Sequence, residues 1–303
     1  MVPAADSLKL AGELLMNMTM LKQAINKSFS QQAPSYALHA DAQKRSADLL
    51  AQFIRERMSD LPHGEILEIG CGTGIFTTHL LSLFGEENIA VSDASAAMLR
   101  QCEEAIAPVP ARVKLLTLDA ENAAVGTRNY SLIVSSFSLQ WMSDFFAALQ
   151  HLLAQLKPDG ELIFSIPLNG SFREWREQCA QAGIPFTANR LPDRIELTDW
   201  CRRQALTLDW EQHPVVCKYN SSLEFFRSLK RVGASVNTNG DLLKPSQLRE
   251  LIRTWDEANQ VCSGSASASA SGSASSSDSG SDADRIAITY QVLCARISRR
   301  YDR

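Results

Sequence analysis

The chain has 303 residues, 45% of them hydrophobic and 21% charged, with a formal net charge of −4 and a pI near 5.8. That acidic balance argues against a broad nucleic-acid or membrane-surface footprint, and no apolar run approaches the roughly 18 residues of a membrane span. The N-terminus lacks a secretory signal pattern, and the seven scattered cysteines show no metal-ligand spacing, so a reduced cytoplasmic protein without a metal site is expected.

Residues 1 to about 24 read as a weakly amphipathic, helix-like extension, and DAQKRSADLLAQFIRERM predicts a helix over 41–58. EILEIG then reads as a short buried strand followed by the helix GIFTTHLLSLF. NIAVSDAS predicts a second strand ending on Asp93, before the helix AAMLRQCEEAI. VKLLTLDAEN gives a third strand ending on Asp119, and YSLIVSSFSLQW a fourth. A helix over about 145–156 follows, and KPDGELIFSIPL predicts a turn into a fifth strand. Mostly apolar strands alternating with helices indicate an α/β protein with a parallel sheet covered on both faces.

Beyond residue 167 the alternation loosens. Helices are expected near 170–182, 197–204, 221–232 and 245–258, with a long strand ALTLDWEQHPVVCKY among them and a last strand RIAITYQVLCARI. Between the final helix and that strand lies SGSASASASGSASSSDSGSDAD, whose Ser, Ala and Gly cannot bury an apolar face, so a disordered spacer is expected over 263–284. The expected organisation is an extension (1–24), a ligand-binding core with an N-terminal lid helix (25–168), an acceptor and lid region (169–262), the spacer, and a closing strand with tail (285–303).

ILEIGCGTGIF places Gly70, Gly72 and Gly74 directly after the first strand. Glycines there permit positive φ or the close approach of a ligand to the backbone, at the strand ends where doubly wound sheets bind ligands. A dinucleotide loop would carry its third glycine one residue later, where Ile75 stands, and a phosphate-binding P-loop would need a Lys-Ser/Thr pair that is missing.

LEIGCGTG, with an acidic residue on the strand itself, resembles the first motif of class I S-adenosylmethionine-dependent methyltransferases. The resemblance implies a Rossmann-like, seven-stranded, mostly parallel sheet with a helical lid, and S-adenosylmethionine as cosubstrate. It implies that Asp93 accepts from the ribose hydroxyls and Asp119 from the adenine amino group, with the Ala120 amide beside the ring. Ser136 and Phe137 would lie near the methionine end, Glu68 would act through water or loop amides, and Cys71, Ala94 and Met98 would complete the lining. Taken singly, Asp93 reads equally as a helix cap and Asp119 as a turn cap.

INKSFSQQAPSYALHADAQKRSADLL, FSLQWMSD, FSIPLNGSFREW, ANRLP, FRSLKRVGAS, KPSQLRELIRTW and the closing ITYQVLCARI resemble successive segments of the malonyl-acyl-carrier-protein O-methyltransferases of biotin synthesis. The extension and the spacer depart from that pattern. The implied acceptor is the free carboxylate of a malonyl thioester, on acyl carrier protein or coenzyme A. With a reference carboxyl pKa of roughly 4 it is ionised at neutral pH and needs no base. A dry site for a carboxylate calls for a cation or several donors, and Arg190, Lys230, Arg173 and Tyr36 are the candidates, with His39 closing over the cofactor. Arg227, Lys230 and Arg231 share one helix face and read either as solvated charge or as a footing for an acidic carrier protein. Methylation of another small acid or a quinone precursor, and a catalytically silent binding module, are the rival readings.

Overall fold

The computed structural model describes residues 4–121, 130–238, 242–267 and 285–299. The first helix, α1, runs unbroken over Ala4–His39 and carries Pro34 within it. It therefore extends well past the expected 1–24 segment. A bend at Ala40 leads into α2 (Asp41–Arg55), which buries Ala42, Ser46, Ala47, Leu50, Ala51, Phe53 and Ile54 at helical spacing. The chain then alternates: β1 (Ile66–Ile69), α3 (Ile75–Leu83), β2 (Ile89–Asp93), α4 (Ala96–Ala105), β3 (Val113–Thr117), β4 (Tyr130–Ser136), α5 (Phe145–Ala154) and β5 (Leu156–Pro167). The later elements are α6 (Arg173–Gln181), α7 (Arg194–Arg203), β6 (Leu206–Tyr219), α8 (Ser222–Arg231), α9 (Pro245–Ser267) and β7 (Ile286–Arg299).

The seven strands form one sheet in the order β3-β2-β1-β4-β5-β7-β6. β1 to β5 are parallel, and β7 runs antiparallel between β5 and β6. The order reverses direction between β1 and β4, so a crevice opens at the carboxyl ends of those strands. All four residues of β1 are buried, Glu68 included.

Two expectations are corrected locally. KPDG is the start of β5 rather than a turn before it, with a register irregularity where Tyr130 and Leu132 pair. α9 continues to Ser267, into the Ser/Ala/Gly stretch, while residues 268–284 of the expected spacer lie outside the described residues. One core cluster packs α2, α3 and α4 on one face of the sheet and a second packs α5 and α7 on the other. A third gathers Phe172, Trp175, Phe225 and Trp255 with Tyr290 of β7, bringing α6, α8 and α9 over the strand ends. Among the described residues, no helix is long and apolar enough to cross a membrane.

Candidate active site

The loop from Gly70 to Gly74 joins β1 to α3 at the crevice, and each glycine there has positive φ. At Gly70 an added Cβ would collide with the Ser138 hydroxyl. At Gly72, with φ of 55°, an added Cβ would meet nothing within 4 Å, because the backbone there borders a cavity.

That cavity, about 360 Å³, is walled by the residues the sequence pointed to: Gly70, Cys71, Gly72, Asp93, Ala94, Met98, Asp119, Ala120, Ser136 and Phe137. Asp93 is not the cap of α4. Ser95 takes that place, its hydroxyl accepting from the Met98 amide at 3.2 Å. The Asp93 carboxylate instead accepts from the Gly72 amide at 2.9 Å and the Ser95 amide at 2.7 Å, tying the glycine loop to the end of β2. Burial pushes its pKa up, against the two amides. Asp119 does receive a turn bond from the Glu121 amide at 3.1 Å, and it also faces the cavity.

Glu68 sits beneath the loop and does not line the cavity. Its carboxyl accepts from the Thr77 hydroxyl at 2.8 Å, and desolvation raises its pKa to about 8. Met98 and Cys71 are buried. The Cys71 thiol, hydrogen-bonded to Cys102 and desolvated, is held well above the ordinary range and stays protonated. No group of three metal-ligating side chains occurs among the described residues.

A second cavity of about 300 Å³ adjoins the first under α6, α8 and the chain beyond α8. The two share Phe29, Tyr36, Gln43, Phe137 and Trp141. Tyr36 lies at the junction, its phenol held above the ordinary tyrosine range by burial and by the Asp93 carboxylate. Phe137 holds a left-handed φ of 53° there, and its amide bonds the Ser165 carbonyl at 2.9 Å. Such a conformation costs about 1–2 kcal/mol in a non-glycine residue, so packing has to enforce it. Phe29, Tyr36 and Gln43 recur at seven-residue spacing, a signal that would have found all three.

Among the described residues, no arginine or lysine lines the second cavity. Arg190, expected to grip the acceptor, is 79% exposed and pairs with Glu196 at 2.9 Å. Arg173 is 71% exposed and lies 3.6 Å from Glu177, one helical turn along. Lys230 projects from the exposed side of α8. Their positions correct the expectation: charge at these sites stays in water, where its solvation is cheapest. His39 lines neither cavity.

A family model described as a methyltransferase domain matches residues 38–212. Malonyl-acyl-carrier-protein O-methyltransferases from Magnetococcus marinus and Priestia megaterium are 36% and 31% identical to this chain. The first match covers 69% of this chain and 76% of the relative, the second 78% and 90%. This chain belongs to that family. The biotin biosynthesis bifunctional protein BioCD of Bordetella avium is 35% identical over 77% of this chain, which spans about half (49%) of that longer protein. Among solved structures, the YcgJ protein of Bacillus subtilis superposes with a TM-score of 0.54 at 14% identity, over 85% of this chain and 99% of that one. That likeness is one of fold, and it matches the Rossmann-like sheet described above.

Proposed function

We propose that this chain transfers the methyl group of S-adenosylmethionine to the free carboxylate of a malonyl thioester carried on acyl carrier protein, as its relatives' names describe for them. The observation that carries this reading is the junction of the two cavities. An acid-lined chamber opens, past Phe29, Tyr36, Gln43, Phe137 and Trp141, into an aromatic and aliphatic one.

The residues of the first cavity fit an adenosyl sulfonium. Asp93 has lone pairs left for ribose hydroxyls, Asp119 faces the adenine end, and the open side of Gly72 leaves room for close approach. Among the described residues, no Lys or Arg is shared by the two cavities to repel a sulfonium, and the one basic residue lining the first, Lys22, is neutralised by Asp119 and Glu121. S-adenosylmethionine, when bound, supplies an electrophilic methyl group, and the transfer moves no proton.

Because no guanidinium among the described residues lines the acceptor cavity, the acceptor carboxylate is held by neutral donors, the Tyr36 hydroxyl and the Gln43 amide. Among the described residues neither side chain has a hydrogen-bond partner, so both can turn to a ligand. Neutral donors orient the oxygens without tying up a lone pair as tightly as a bidentate arginine would. Apolar walls formed by Phe172, Trp175, Phe226 and Leu229 exclude water from the pair. Holding two reactants in line in a dry site is worth on the order of 7–11 kcal/mol.

α8 supplies Phe226 and Leu229 to this cavity from one face and carries Arg227, Lys230 and Arg231 exposed on the other. These cations suit an acidic carrier protein docking at the cavity's edge. The deciding test is a methyl-transfer assay with labelled S-adenosylmethionine and malonyl- or acetyl-carrier protein. Base-labile label on the malonyl form alone is expected. Cofactor binding without transfer would discard this acceptor and leave another small acid or a quinone precursor to be tried.

A further inference from the structure

α1 presents one continuous face to the first cavity. Thr19, Lys22, Gln23, Asn26, Phe29 and Tyr36 lie at helical spacing and all line it. Among the described residues, Lys22 is the only basic one in that lining, and it belongs to the segment that departs from the family pattern. Its ammonium lies 2.9 and 2.7 Å from the two oxygens of Asp119 and 2.6 Å from Glu121. Glu121 is itself fastened, accepting from the Ser143 amide at 2.7 Å at the start of α5. The carboxylates and the lysine are part-buried, with side-chain exposures of 37%, 14% and 27%. Desolvation works against the charge on Lys22, but the two acidic partners prevail and its pKa is raised.

Further polar ties, exchangeable with water, join α1 to the cavity rim, and Phe29 also packs edge-on against Trp141 with ring centroids 5.3 Å apart. The Asn26 amide donates to the Ala94 carbonyl at 3.0 Å, Ser30 and Ser95 share a hydroxyl bond at 2.7 Å, and Ser28 donates to the Gly233 carbonyl at 3.1 Å. The polar ties exchange with water more readily than apolar packing does, so they set how easily this wall opens.

We propose that Lys22 is a positioning residue that latches α1 over the adenosyl end of the cavity, through Asp119 and Glu121, and so sets how fast the adenosyl ligand loads and leaves. This rests on the S-adenosylmethionine reading above. Closing the latch confines the ligand, and release of the demethylated by-product waits for the ion pairs to break.

The test follows S-adenosylhomocysteine dissociation from the full chain by stopped flow, reading the fluorescence of Trp141 in the cavity wall. Lys22→Met is expected to release the ligand on the order of tenfold faster, with Lys22→Arg close to wild type. Added salt should speed release from the wild type and leave Lys22→Met unaffected. Amide exchange over residues 19–30 of the ligand-free protein should quicken in Lys22→Met. A wild type that binds S-adenosylhomocysteine, with Lys22→Met releasing it at the wild-type rate, overturns the latch alone. A wild type that does not bind it overturns the cofactor reading, and the latch with it.

Discussion

Glu68 is a carboxyl group buried in a central strand with one hydroxyl donor, and its pKa of about 8 stands far above the ordinary 4.5. Folding therefore favours its protonated form. The stability this gives is fully present below the ordinary value and is lost as pH rises through about 8. Glu68→Gln should be less sensitive to pH than the wild type in thermal melts of the ligand-free protein. The two curves should diverge by roughly 5 °C between pH 5 and pH 9, and parallel curves would assign the ionisation to another group. At this same scale the sequence was most informative where a motif ties residue type to a strand end. Gly70, Gly72, Asp93 and Asp119 all line the cavity, whereas Gly74 turns its backbone at the start of α3 and does not. It was least informative for long cations. Whether Arg190 turns inward or pairs with Glu196 depends on burial that no local pattern encodes, and the partner of Lys22 lies 97 residues away.

The elements were legible wherever periodicity was clean. All seven strands appear, β1, β2 and β4 as short buried apolar runs and the antiparallel β6 and β7 as longer runs rich in β-branched and aromatic residues. α1 was read short: Pro34 and the polar run around it mask a helix that tertiary contacts hold together across the cavity. α8 was read correctly in extent, and its two faces serve two purposes. Reversing its charge with Arg227→Glu, Lys230→Glu and Arg231→Glu together should raise KM for malonyl-carrier protein by about tenfold at low salt, with kcat nearly unchanged. The KM for a malonyl thioester of a small thiol should not move. Equal KM on carrier protein for variant and wild type would remove the docking role.

For the molecule as a whole, β5 and β7 are joined by more than their backbone ladder. Arg296 of β7 makes two bonds, of 2.7 and 2.6 Å, to the buried carboxylate of Glu161 on β5. Arg296→Met strands that carboxylate and should cost about 3–5 kcal/mol in denaturant unfolding, whereas adding Glu161→Met should recover most of the loss. A double variant no more stable than the single one would mean that arginine's packing, rather than its charge, is what matters.

β7 comes last in the sequence among the seven strands yet lies between β5 and β6, paired along its length with β6. A ribosome making this protein thus releases β5 and β6 long before their common neighbour exists. Until residues 286–299 emerge, each of those strands presents an unpaired edge, the usual template for association between nascent chains. The cell's chaperones meet this protein with its sheet open in the middle, and the final strand zips it shut.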